Sequence, residues 1–306
     1  MASRIAALTT PARRGPLALP EPVLILDFDG TVCVGDALVW AYAEAVIAEA
    51  PRAEERIRTG LRALLDGTAG SSDYHDGYEA VAALAAGHVG KERLRAAYAA
   101  SRSALAAGSI AVSAPGGLAG LLAELGGKVR RMLVTNAPDD GIPSTLATIG
   151  LGGLIDALAT SVGKPCGWNR LLPQLLADRP PAFVMAVGDI WDNDLRVPLE
   201  AGCCTALVDR FGHRGGPAHL TGPSLEDLYD GLRSWAADPT SFMLAHQPTQ
   251  ATADPLDRLP SEGPSATTVR PSVSALCHRG ESGEAVQLPA ARLPLAEQRP
   301  SPRPLE

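Results

Sequence analysis

Val23-Leu24-Ile25-Leu26-Asp27-Phe28-Asp29-Gly30-Thr31 is the stretch whose reading decides this chain. Four large apolar residues without helical spacing predict a buried strand of a parallel sheet. Side chains alternate along a strand with period two, so Asp27 and Asp29 project to the same side at its exit. Gly30 and Thr31 then predict a sharp turn that exposes the backbone. Open α/β sheets bind their ligands in the crevice outside the carboxyl ends of the strands. The carboxylate pair therefore falls where chemistry is expected, which an ordinary acidic turn does not account for.

Three further stretches come in fixed order. Val129 to Val134 is a second apolar strand with basic interruptions, and it ends in Thr135-Asn136. Gly163-Lys164-Pro165 precedes a helical segment from Asn169 to Leu176. Phe183 to Val187 is a third buried strand, running into Gly188-Asp189-Ile190-Trp191-Asp192-Asn193-Asp194. Singly each match is weak; in this order, three of them at strand ends, they are informative. Together they resemble the four motifs of the haloacid dehalogenase superfamily of phosphotransferases, over roughly residues 21 to 236. The resemblance implies an α/β fold, a doubly wound, Rossmann-like parallel sheet with a small helical cap domain inserted after the first motif.

It also implies roles. Asp27 would be the nucleophile that forms an aspartyl-phosphate, splitting one difficult step into two easier ones. Asp29 would protonate the leaving oxygen and later take a proton from water. Thr135, through its hydroxyl and backbone N–H, Asn136 and Lys164 would bind the phosphoryl group, Lys164 supplying a fixed positive charge. The chain has only three lysines among 27 basic residues, which makes one beside such a motif notable. Mg²⁺ would be held by the Asp27 carboxylate, the backbone carbonyl of Asp29 and Asp189, with Asp194 in support and Asp192 its rival.

Between the first two motifs, residues 36–112 are helical throughout and form the expected cap. Asp36 is placed to cap a helix ending at Ala50, before Pro51. Lys91 to Leu105 puts Leu94, Ala97, Tyr98, Ser101 and Leu105 on one helical stripe. Substrate choice is expected from the polar–aromatic loop Asp73-Tyr74-His75-Asp76-Gly77-Tyr78, with Trp40 and Tyr42 as further candidates; the alternative for each is a solvated loop or ordinary core packing. Cys33, Cys203 and Cys204 are expected as small buried residues.

After the cap, Leu118 to Leu125 is a helix closed by Gly126-Gly127, and strands alternate with helices until Trp235, the pattern of a doubly wound sheet. The core is thus expected over 21–35 and 113–236. Residues 1–20 are expected as a disordered leader. Residues 237–306 hold eleven of the 26 prolines and one aromatic, Phe242, and predict a disordered tail.

At 306 residues the chain has room for one large or two modest domains. A net charge of −7 and the lack of a basic stripe argue against a nucleic-acid partner. No apolar run is long enough to cross a bilayer, and five cysteines without paired spacing suit a reduced, cytoplasmic setting. The expected partner is a small phosphorylated substrate. The expected reaction is Mg²⁺-dependent hydrolysis of a phosphate monoester. A phosphomutase with the same residues and a non-catalytic phosphate-binding module stand as alternatives, and a metal-free dehalogenase fits Asp29 poorly.

Overall fold

The computed structural model describes residues 20–68, 74–212 and 215–249. All but the last residue of the expected leader, Asp73, and residues 250–306 of the expected tail lie outside the described residues. Six strands make one parallel sheet: β1 (Val23–Leu26), β2 (Arg130–Val134), β3 (Ala157–Ala159), β4 (Val184–Gly188), β5 (Cys204–Val208) and β6 (Leu220–Gly222). Their order is β3-β2-β1-β4-β5-β6, a doubly wound arrangement. The chain travels outward from β1 through β2 to β3, then returns to the other side of β1 with β4. The switch point, where ligands bind in such sheets, therefore lies between β1 and β4.

Register brings the expected motifs level. Leu26 pairs with Leu133 on one side and Val187 on the other, so Asp27, Thr135 and Asp189 emerge at one edge of the sheet. Both faces of β1 are covered, which explains its unbroken apolar run. Leu24 and Leu26 pack with Leu118, Leu122, Leu133 and Trp235, while Val23 and Ile25 pack with Met132, Trp168 and Leu171. Helices α5 (Leu118–Leu125), α6 (Ile142–Thr148), α7 (Trp168–Leu176), α8 (Trp191–Asp194), α9 (Arg196–Glu200) and α10 (Tyr229–Ala237) come after the four helices of the insert and flank the sheet.

The helical insert comprises α1 (Ala37–Glu49), α2 (Glu54–Leu65), α3 (Gly77–Leu84) and α4 (Lys91–Ala106). It has its own apolar cluster, including Ala43, Val46, Ile57, Leu61 and Val81. Its two connections are tied together by paired backbone hydrogen bonds between Val34 and Ser113, at 2.8 and 3.0 Å.

The C-terminal boundary expected at residue 236 is too early. Pro239–Ala245 forms a further helix, α11, capped by the Asp238 carboxylate, which accepts from the Ser241 amide at 3.0 Å. Phe242 is buried in the main core, and Ala218 and Thr249 exchange backbone hydrogen bonds. One aromatic on a short capped helix outweighs the surrounding proline-rich composition.

Candidate active site

The site begins with the turn after β1. The Asp27 amide donates to Val187 O at 3.0 Å, so the ladder runs one residue past the strand. Phe28 O then accepts from the amides of Thr31, Val32 and Cys33, closing a tight turn. Gly30 sits at φ +80°, and a Cβ there would lie 2.1 Å from Asp189 Oδ2. Only glycine satisfies both the left-handed backbone and that close approach. Phe28 and Thr31 are fully buried and serve the core, while Asp27 and Asp29 face the cavity.

Lys164 reaches the sheet edge from the segment before α7. Its ammonium donates to Asp27 Oδ1 at 2.6 Å and to Asp194 Oδ1 at 2.5 Å, with its side chain 3 % exposed. Burial alone would lower its pKa, but Asp194 and Asp27 outweigh that and hold it charged. Asn136 fixes the lysine backbone from both ends: its Nδ2 donates to Lys164 O at 3.0 Å, and its Oδ1 accepts from Lys164 N at 2.6 Å. The side-chain amide of Asn136 thus orients Lys164. The Thr135 amide is engaged by Ala159 O, contrary to the expectation that it serves the phosphoryl group. Its hydroxyl accepts from the Ala137 amide at 3.0 Å and keeps its proton for the cavity that Thr135 lines.

Three carboxylates, Asp27, Asp189 and Asp194, bring oxygens within 4.8 Å of one another. Asp194 also accepts from the Ile190 amide at 3.1 Å, and Gly188 leaves room for it, since a Cβ there would lie 2.4 Å from Asp194 Cβ. Its rival Asp192 pairs with Arg196 at 3.3 Å. Burial, then Asp27 and Asp194, pushes the Asp189 carboxyl well above the usual range. Burial, with Asp27 adding and Lys164 opposing, raises Asp194 to about 6. Asp189 Oδ1 is buried without a hydrogen-bond partner. Crowded carboxylates around an orphaned oxygen fit a hard divalent cation, which takes oxygen ligands and relieves their repulsion. The convergent side chains include Asp194, whereas the Asp29 side chain turns elsewhere.

Asp29 turns toward the insert. Arg102 on α4 donates one Nη to Asp29 Oδ1 at 2.8 Å and Oδ2 at 3.1 Å. Burial dominates and lifts the Asp29 carboxyl above the ordinary carboxylate range, with Arg102 opposing. Sequence reasoning misses Arg102, because an arginine beside Ser101 has no signal to set it apart from a surface residue.

The insert walls a cavity of about 280 Å³ over these groups. Asp76 caps α3 by accepting from the Glu79 amide at 2.7 Å, and Glu79 in turn accepts from the His75 amide at 2.7 Å. This holds His75 and Tyr78 on the cavity wall. Tyr78 belongs to α3, not to the loop in which it is expected. Trp40 and Tyr42 pack in the insert's own cluster instead of lining the cavity, and Tyr74 is not among the lining residues. Asp36 makes no side-chain cap to α1; it pairs with Arg210 after β5, at 2.7 and 3.1 Å, beside the cavity. Cys33 lines the cavity as a buried free thiol, pushed up to about 12 by burial and then by Asp29. Cys203 and Cys204 are buried and free. Among the described residues no helix is long and apolar enough to cross a membrane.

No family model matches this sequence, and no curated protein does. Among solved structures, the chain is similar to the HAD-hydrolase YfnB of Bacillus subtilis, solved bound to magnesium, at 16 % identity and a TM-score of 0.49, over 70 % of this chain and 99 % of that one. It is similar to CbbY of Rhodobacter sphaeroides in complex with phosphate, at 20 % identity and 0.48, over 68 % and 96 %. It is also similar to the L-2-haloacid dehalogenase of Xanthobacter autotrophicus, solved with chloropropionic acid covalently bound, at 18 % identity and 0.44, over 70 % and 99 %.

Proposed function

We propose, from the premise that the chain belongs to the haloacid dehalogenase-like superfamily by its four motifs and their placement at the sheet edge, that it is a Mg²⁺-dependent phosphatase of small phosphate monoesters. The observation that carries the reading is the convergence of Asp27, Asp189 and Asp194 around an orphaned oxygen, with Lys164 charged between two of them. A halide is expelled without a metal. A phosphoryl group, already anionic, needs positive charge on both sides of the displacement.

Asp27 attacks phosphorus, forming an acyl–phosphate bond as the ester oxygen departs with a proton from Asp29. Water then attacks the phosphorus of the aspartyl-phosphate, Asp29 takes its proton, and inorganic phosphate leaves with Asp27 restored. Such acid–base assistance is worth roughly 10²–10⁴-fold. Lys164, locked by Asn136 and Asp194, offsets charge building on the phosphoryl oxygens, and the Thr135 hydroxyl donates to one of them. Mg²⁺ held by the Asp27 carboxylate, the Asp29 backbone carbonyl and Asp189, with Asp194 in support, would neutralise charge between the anionic nucleophile and the anionic ester. A cavity of about 280 Å³ suits a small ester.

The test is phosphate release from a panel of phosphorylated sugars, nucleotides and small acids, with Mg²⁺ and after exhaustive chelation. Release that chelation abolishes and Mg²⁺ restores is expected, with Ca²⁺ a poor substitute because its shell is larger and looser. Halide release from a 2-haloacid without metal, and no phosphate from any ester, would overturn the reading.

A further inference from the structure

We propose that Arg102 is a positioning residue for Asp29, so that the helical insert sets the geometry of the proton-transfer group. The proposal rests on the reading of Asp29 as acid and base.

Arg102 is 2 % exposed, a rare burial for arginine, and it forms an ion pair with Asp29. One Nη contacts both oxygens of the carboxylate, which fixes its position against the insert. The guanidinium carbon lies 5.6 Å from the centre of the Phe28 ring, the residue between the two aspartates. Its Nε and second Nη are buried without partners. An arginine kept there at the cost of two unsatisfied groups is poorly explained as packing, because an apolar side chain would fill the space without that penalty.

The helix that carries Arg102 is itself anchored on the core. Leu105, one turn on, is buried in the main core cluster. Ala106 meets Gly141 so closely that a Cβ on that glycine would lie 2.4 Å from Ala106 Cβ. The start of α6 thus holds the end of α4, and α4 holds Asp29. Lys164 plays the matching part for Asp27 from the segment before α7. Two carboxylates two residues apart are therefore held by cations from different parts of the fold, one beside the sheet edge and one on the insert, and only one of those cations belongs to the four motifs.

A positioning role for the acid predicts selectivity by leaving group. An aryl ester such as p-nitrophenyl phosphate departs without a proton, whereas an alkyl monoester requires one. Arg102→Met should lower kcat on an alkyl phosphate by about 10²-fold and on p-nitrophenyl phosphate by less than about tenfold. Arg102→Lys should recover part of the alkyl activity, and Arg102→Met placed on Asp29→Asn should cost nothing further. If Arg102→Met melts before it can be assayed, Arg102→Lys carries the same comparison, since its shorter side chain places the ammonium differently against Asp29 while keeping the charge. Equal losses on both esters by a folded Arg102 variant, or a further loss on Asp29→Asn, would overturn the proposal while leaving Asp29's role intact. An Asp29→Asn protein that itself loses equally on both esters would overturn the acid–base reading, and this proposal with it.

Discussion

The sheet edge and the helical insert hold their aspartates by different means. At the edge, Asp27 stands one residue past a strand whose register with β2 and β4 brings the Thr135 and Asp189 segments alongside. Its partner Lys164 is pinned by Asn136 from the next motif. On the insert side, Asp29 depends on a residue 73 positions away, on a helix that reaches the core at its last turn. The first arrangement arises from strand register within the sheet. The second arises from how two helical layers settle on each other. On the proposed reading, phosphoryl transfer at Asp27 and proton transfer at Asp29 can therefore be disturbed separately, although the two carboxylates are neighbours.

The largest effect should come from the edge. Asp27→Asn removes the attacking oxygen anion, and turnover of every ester, aryl or alkyl, should fall below detection with no trapped phosphoenzyme. Near-normal activity on p-nitrophenyl phosphate would break the comparison at its root. Lys164→Met should come next, with kcat down about 10²–10³-fold on both ester types, since its charge acts on the phosphoryl group and not on the leaving oxygen. A loss confined to alkyl esters would mean that Lys164 serves the leaving oxygen instead.

Much of the edge is legible in the sequence. Strands buried on both faces must be apolar runs, and the residues at the exit of each run must sit at one rim. Asp27, Lys164, Asp189 and the preference for Asp194 over Asp192 all come from that logic together with motif resemblance. Arg102 escapes it. Its helix is legible, yet periodicity marks a stripe as buried without marking a charge inside it as paired. Trp40 and Tyr42 take the core-packing alternative, and the sequence leaves the choice open for the same reason: an aromatic in a helix gives no sign whether it faces a ligand or a neighbouring helix. Asp36 departs from its expected cap because Arg210, distant in sequence, outcompetes the backbone for it.

Phe242 tests a third location, far along the chain from both. Phe242→Ala should destabilise the fold by about 3–5 kcal/mol, visible in denaturant unfolding, because a buried ring leaves a cavity. The rate per folded molecule should be unchanged, since α11 contributes nothing to the cavity lining. Unaltered stability would place α11 outside the cooperative unit.

The smallest effect belongs to the insert's wall. His75→Ala should change KM for chosen esters by less than about tenfold and leave kcat on p-nitrophenyl phosphate unmoved, because His75 lines the cavity and its backbone amide, which the substitution keeps, still donates to Glu79. A fall in kcat on both ester types would mean that the wall takes part in the chemistry.

Gly30 and Gly188 carry a last consequence. Each lies where even a methyl group would strike a carboxylate oxygen, at 2.1 Å on Asp189 for Gly30 and 2.4 Å on Asp194 for Gly188. Variation at these two positions is closed to selection and to the engineer alike, whereas His75, Val112 and Phe211 stand on the cavity wall, clear of that collision. The rim that seats the carboxylates is thus rigidly specified, and the wall opposite it is open to change.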